Sequence, residues 1–348
     1  MKKILLASSA IAMAAYAGAA SAAEPVAVKV GGYGYFGLGF KDVDRVGTEQ
    51  NTSGLGIMRD GEIHFNVRGT SDNGLTFSGR VELEAWSQGG DMIDENWFQV
   101  SGSWGALKVG GDDHASYNLA TGVFYLPGAH IGHYDDFGYS NPLGFYLTNN
   151  RFSDTLGIFY NTPNISGFQA QVSYHPRAGA DGASDTNGLL TNDWALPIST
   201  DIFSIGLNYG GTWDEFSFRI SGGYDLVGSA PAGVDDDGFM VGAQVGFSGF
   251  GLGVHYKEGL ETFGNAAENE YLINVNYATG PWYFQLGYLY GDTVAGVAGV
   301  DLQKIAGGVR YNLAPGVTTT LGLEYTDVDT NAGSFSGFAG MVYMGLSF

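Results

Sequence analysis

The chain contains no cysteine, which excludes a disulfide framework and any thiolate chemistry. Bases are scarce as well. The 15 Lys and Arg against 36 Asp and Glu leave a formal charge of −21, so no basic patch is available to hold nucleic-acid phosphate. Charged residues of both signs make up only 15% of the chain. After the N-terminal stretch no apolar run reaches the ~20 residues of a membrane-crossing helix. Fibrous or disordered structure is excluded next. Glycine is abundant at 57 residues, but no G-X-Y period exists, and 21 Tyr with 22 Phe do not suit disorder.

What the sequence does have is alternation. From Phe338 onward Val342, Met344, Leu346 and Phe348 fall at every second position, with Ala339, Tyr343, Gly345 and Ser347 between them. A period of two over about ten residues suits a strand tilted across a bilayer. A mean hydropathy of −0.02 agrees, because lipid-facing and water-facing residues average out. At the other end, Met1-Lys2-Lys3, an apolar stretch 4–17 and Ala20-Ser21-Ala22 form a secretory signal pattern. Residues 1–22 are therefore expected to be cleaved, leaving 23–348 as one domain and, without Lys2 and Lys3, taking the charge from −21 to −23.

Further alternating segments run 28–40, then through Ile63, Phe65 and Val67, then through Leu75, Phe77, Val81 and Leu83 after the Ser71-Asp72-Asn73-Gly74 turn. Others follow at 97–102, 107–111, 151–161, 167–175, 202–209, 216–224, 239–247, 251–257, 270–277, 282–290, 303–313 and 317–325. With the terminal segment these make 16 strands, joined alternately by seven short turns and eight longer loops. The expected fold is all-β: a 16-stranded antiparallel transmembrane β-barrel. Tyr174, Tyr224, Tyr256, Tyr290 and Tyr325 would form one interfacial girdle, and Tyr160, Tyr209, Tyr277 and Tyr311 the other. A soluble β-sandwich, the competing fold, needs neither girdles nor alternating loop lengths.

One connection, 112–150, is long and lacks sustained alternation. It carries Asp112, Asp113, Asp135 and Asp136, several aromatics and no Lys or Arg. A barrel of this size leaves an aqueous channel that its own side chains cannot fill, and this third external loop, folded inward, would narrow it. Alternation sets Lys29, Arg59, Arg68, Arg80, Lys108, Arg219, Lys257, Lys304 and Arg310 opposite the apolar face, as expected where a charge facing lipid costs about 2–4 kcal/mol. Arg68 and Arg80 stand beside Glu62, His64, Glu82 and Glu84. A cationic wall facing the acidic loop would then set a transverse field across the constriction. The expected constriction residues are thus Arg68, Arg80, Glu62, Glu82, Asp112, Asp113, Asp135 and Asp136.

Catalytic chemistry finds no support. His130 and His133 are close in sequence but lie in a loop without cysteine or helix. His64, His175 and His255 fall on the lumen parity, not on the lipid face where a lipase pair would sit. Gly31-Gly32-Tyr33-Gly34 lacks the strand–helix context of a phosphate loop.

Two segments carry a family resemblance. Residues 101–110, SGSWGALKVG, resemble the "SG-x-F-G-x-L-x-x-G" hairpin of Gram-negative general porins, with Trp104 in place of Phe. Residues 150–163, NRFSDTLGIFYNTP, with Ser166-Gly167-Phe168, resemble the "R-x-x-N-S-I-x-Y-x-S-P-x-x-x-G-F" segment of that family. Asp154, Thr155, Leu156 and Thr162 depart from it. The acidity resembles the alphaproteobacterial type. The resemblance implies a cell outer-membrane protein, a homotrimer of barrels whose third loop enters the pore, and a terminal Phe348 read by the barrel assembly machinery. It implies a non-enzymatic, passive channel for small hydrophilic solutes, and the charge pattern favours weak cation selectivity. A substrate-selective (for example sugar) channel with a luminal Tyr33–Tyr35–Trp86 track, or a non-conducting structural or adhesin barrel, could share this layout. No resident cofactor is expected. Asp235, Asp236 and Asp237 lack full calcium-loop spacing, yet on an outer loop they could bind Ca²⁺ loosely or bridge lipopolysaccharide through it.

Overall fold

The computed structural model describes residues 23–44, 52–85, 92–124, 126, 154–178, 199–229, 237–259, 267–294, 297–330 and 333–348. Sixteen strands close into one antiparallel barrel. They are β1 (Glu24–Asp44), β2 (Thr52–Thr70), β3 (Thr76–Glu84), β4 (Ile93–Gly102), β5 (Gly105–Asp112), β6 (Thr155–Asn161), β7 (Phe168–Arg177) and β8 (Thr200–Trp213). They continue as β9 (Phe216–Ser229), β10 (Asp237–Phe247), β11 (Phe250–Gly259), β12 (Ala267–Thr279), β13 (Trp282–Val294), β14 (Val297–Ala314), β15 (Val317–Thr330) and β16 (Gly333–Ser347). A single turn of helix, α1 (Ala115–Asn118), follows β5. Each strand pairs with its chain neighbours, and β1 pairs with β16 to close the ring. The seam runs to the last residue: the Phe348 amide donates to Gly32 O at 3.1 Å and the Gly32 amide to Phe348 O at 3.0 Å.

Period-two patterning explains the two surfaces. On β16, Val342, Met344 and Leu346 are exposed while Tyr343, Met341 and Ala339 are buried. Directly paired residues share a face, so Leu38 opposite Val342 and Ile57 opposite Leu38 extend this apolar band, and both are exposed. This outer surface is what lipid would cover. Aromatic rings ring it at two heights. Tyr256 lies between Phe239 and Tyr271, with centroids 5.6 and 4.8 Å away, and Tyr174 sits 4.8 Å from Phe203. At the short-turn end Phe250–Tyr277 (4.2 Å) and Trp282–Tyr311 (4.5 Å) repeat the arrangement. The turns are tight for a stated reason. In Ser248-Gly249 both residues have positive φ (48° and 86°), the mirror-image turn whose twist matches that of the flanking strands.

Two expectations need correction. First, the strands exceed the alternating segments: β13 ends at Val294 and β14 begins at Val297, and only two residues separate β15 from β16. The hairpins continue where an apolar outer face is no longer required, so hydrophobic alternation stops before the hydrogen bonding does. The contrast between short turns and long loops therefore fails at these two connections. Second, Arg59 does not face the lumen. It pairs with Phe36 and shares the parity of Ile57 and Phe65, and it is exposed on the outside. Counting alternation from Phe65 puts it there.

Candidate functional site

Inside the barrel, neighbouring strands raise charged side chains onto one wall. Glu62 and His64 on β2 face Glu82 and Arg80 on β3, because Glu62 pairs with Glu84, His64 with Glu82, and Asn66 with Arg80. His64 Nε2 lies 2.6 Å from Glu62 Oε2 and 3.6 Å from Glu82 Oε2. Arg80 donates to His64 Nδ1 at 2.8 Å and forms an ion pair with Glu82. Tyr33 on β1 donates to Glu62 at 2.6 Å. The wall is therefore not cationic: Arg80 is neutralised by Glu82 among further carboxylates.

Carboxylates of this wall, with His64, form three groups whose ligand atoms lie within 4.8 Å of one another: Glu62–His64–Glu82 and Glu62–Glu84–Asp94, which share Glu62, and a separate Glu95–Asp113–Asp154. Donor sets of this kind could hold a divalent cation. Asp113 lies just past β5, where burial first, and then the charges of Asp154, Glu95 and Asp94, push its carboxyl well above the usual range, against the pull of Lys108. Its neighbour Asp112 is ion-paired with the buried Lys108, which also lies 4.5 Å from the centre of the Phe159 ring.

Of the expected constriction residues, Glu62, Glu82 and Arg80 come together, and Asp112 and Asp113 adjoin them through Lys108 and Glu95. Arg68 does not join them: it is exposed, opposite Ala27 and Ser78, two rungs nearer the Ser71–Leu75 turn. Asp135, Asp136, His130, His133, Trp86, Asp235 and Asp236 lie outside the described residues. Asp237 accepts a hydrogen bond from Tyr224 Oη at 2.8 Å.

The site includes residues that sequence reasoning did not single out. The segment 113–124 lies along the inner faces of β7 to β13. The Ala115 amide donates to Ser173 Oγ (3.1 Å), Ser116 N to Ser204 Oγ (2.9 Å), Thr121 N to Ser221 Oγ (2.9 Å) and Phe124 N to Asn274 Oδ1 (3.0 Å). In return Asn208, His255, Asn274 and Gln285 donate to the carbonyls of Leu119, Thr121, Gly122 and Phe124. At its start, fully buried Asp225 accepts the Ser116 hydroxyl at 2.6 Å and lies 3.2 Å from His114 Nδ1.

Glycines make room for this segment. A Cβ at Gly206 would come 2.0 Å from Ala115 O, one at Gly242 1.9 Å from Thr121 O, and one at Gly253 2.3 Å from Gly122 O. Small polar residues and glycines at lumen parity were the available signal, although no periodicity names their partner. Toward the short turns a polar cavity of about 650 Å³ opens below the segment, lined by Asn118, Asn208, Arg219, Gln244 and Asn276 among others. The two family-like segments meet at the same end, where Trp104 stacks on Tyr160 at 6.3 Å and accepts its hydroxyl at the backbone oxygen.

A variant of the Rhodopseudomonas blastica porin shares 19% identity at a TM-score of 0.56, over 92% of this chain and 100% of that one. The anion-selective porin of Comamonas acidovorans shares 17%, with a TM-score of 0.59 over 93% of this chain and 100% of that one. OmpT of Vibrio cholerae lacking loop L8 shares 18%, with a TM-score of 0.58 over 91% and 99%. At such identities the likeness shows the fold. No curated protein sequence matches the chain. The family described as Gram-negative porin, however, matches residues 7–331. The chain therefore belongs to the Gram-negative porin family, outer-membrane β-barrel channels that are passive and not enzymes.

Proposed function

We propose that this channel passes small hydrophilic solutes and ions by passive diffusion, with a weak preference for cations. The observation that supports it best is the charge of the lumen wall. Among the described residues, Glu62, Glu82, Glu84, Asp94, Glu95, Asp113 and Asp154 gather, with His64, around two Lys or Arg side chains, Arg80 and Lys108, and both are ion-paired. Rings of one sign at a narrow point set selectivity. The preference is modest because charges are screened beyond about 8 Å at physiological salt.

In this reading the segment 112–150, whose first residues lie on the wall, acts as the constriction. Arg68, at the short-turn mouth, contributes little to it. The anion selectivity of the Comamonas porin makes the sign a real test. Reversal potential in a KCl gradient across a planar bilayer should favour K⁺ and relax toward zero in strong salt; Cl⁻ preference would reverse the proposal.

Three further parts of the reading rest on family likeness and on sequence. The working unit is a homotrimer in contact with lipopolysaccharide, residues 1–22 are removed as a signal, and Asp235–Asp237 bind Ca²⁺ loosely. N-terminal sequencing of protein purified from outer membranes tests the second. Calcium titration of Asp235→Asn/Asp236→Asn against the parent tests the third.

A further inference from the structure

On the opposite arc of the lumen, one ladder rung sets Tyr283, Arg310, Thr320, Tyr343 and Gly37 side by side across β13, β14, β15, β16 and β1. All five are on the inward parity, since Phe284, Leu321, Val342 and Leu38 beside them are exposed outside. Arg310 differs from two buried luminal bases. Lys257 faces Glu270 at 3.7 Å and Lys304 faces Glu324 at 3.1 Å, whereas Arg310 has no ion-pair partner among the described residues. Its Nε is buried without a hydrogen bond, and its guanidinium lies 4.9 Å from the centre of the Tyr283 ring.

The surroundings of this cation are aromatic. A cavity of about 410 Å³ is lined by Arg310, Tyr343, Tyr35, Tyr33 and Thr318 among others. The Tyr343 ring sits 5.4 Å from Tyr35, and Tyr35 stacks on Tyr33 at 6.1 Å. The Tyr35 and Tyr33 hydroxyls are held by Asp60 and Glu62, each at 2.6 Å, and Tyr35 and Tyr343 pack together with Met341, so the aromatic side of the cavity is fixed. Gly37 leaves the Tyr343 ring its place, because a Cβ there would come 2.5 Å from Tyr343 Cβ.

An unpaired guanidinium fork takes a carboxylate through two parallel hydrogen bonds, and a fixed aromatic lining takes a planar apolar body. Arg310 is the one base lining the cavity among the described residues, and one cation matches one carboxylate. The cavity size is ordinary for a small-molecule site. We propose that Arg310, Tyr343 and Tyr35 form a luminal subsite for small arenecarboxylates at the short-turn end of the channel. It requires solute to enter the lumen, as the diffusion reading holds, but not that ions cross it.

Equilibrium binding to the purified full-length protein in detergent tests the subsite without conduction, by calorimetry and saturation-transfer NMR with benzoate and acetate as probes. Benzoate should bind, and acetate about ten-fold more weakly or not at all. Arg310→Gln should lower benzoate affinity about 10- to 100-fold, the range for a lost charge-assisted hydrogen bond. Tyr343→Leu should weaken benzoate and leave acetate unchanged, while Arg219→Gln, at another luminal base, should change neither. Heat-modified gel mobility identifies folded variants, and Arg310→Lys, which keeps charge without the fork, should lose part of the benzoate affinity. Equal binding of the two probes, or parent-like benzoate binding by folded Arg310→Gln or Arg310→Lys, overturns the subsite. A protein that binds benzoate but fails to conduct overturns only the diffusion reading.

Discussion

Substituting Gly242 by alanine should lift the inner segment from the wall. The added Cβ would lie 1.9 Å from Thr121 O and 2.8 Å from Thr121 C, distances that no side chain sustains, so one partner must retreat by over an ångström. The wall is the stiffer partner, because β10 is paired with β9 and β11 along its length. The segment therefore moves, and Thr121 loses its bonds to Ser221 (2.9 Å), His255 (3.0 Å) and Gln244 (2.7 Å). At about 0.5–1.5 kcal/mol net for each, docking weakens by about 2–4 kcal/mol. That corresponds to an opening equilibrium raised about 30- to 1,000-fold.

The absence of cysteine makes the assay direct. In a Thr121→Cys background the single thiol replaces a buried hydroxyl, and its labelling rate with a water-soluble maleimide reports opening. Thr121→Cys itself removes the hydroxyl bond to Gln244, so two bonds remain to be lost, about 1–3 kcal/mol, and Gly242→Ala should raise the labelling rate about 5- to 160-fold over the Thr121→Cys parent. Gly222→Ala is the control, since its Cβ would meet nothing nearer than Met240 O at 4.0 Å. If both variants label at the parent rate, the luminal glycines do not hold the segment and the reasoning fails.

Other expected outcomes are as direct. Deleting Phe348 removes both hydrogen bonds of the β1–β16 seam at Gly32, so surface levels should drop while synthesis continues; normal surface levels would refute this. Replacing Asp112, Asp113, Asp135 and Asp136 by Asn should shift the reversal potential toward anions, and an unchanged value would remove the segment from the pore. Since Asp113 keeps its proton above the usual carboxylate range, cation preference should rise as pH climbs past that range, and Asp113→Asn should flatten the rise. The purified protein should run as a trimer that resists SDS and dissociates on heating or chelation; a monomer by light scattering in mild detergent with calcium would count against it.

How much was legible depended on whether neighbours in sequence or distant residues decided the outcome. The alternation Val342, Met344, Leu346 dictates an outward face for β16, and the structure has it. The same parity sends Arg80, Glu62 and Glu82 inward. Strand ends were not legible at Val294 and Val297, because outside the membrane a strand needs hydrogen bonds but no apolar face. The outward position of Arg59 was legible, since it lies six residues before Phe65 on one strand and so on the same face. That Arg80 would be neutralised by Glu82 was within reach of the sequence, since the two are neighbours at i and i+2 on one face. The contact of Ser116 with Asp225 was not, because it joins residues 109 apart across the lumen and depends on closure of the whole ring.

The measurement that bears most directly on the account is conductance of the purified protein in a planar bilayer, combined with uptake of neutral sugars of increasing size into liposomes. The account predicts discrete, ohmic current steps in KCl and uptake that falls smoothly with solute size. A folded barrel that inserts but carries no current and admits no sugar would contradict it.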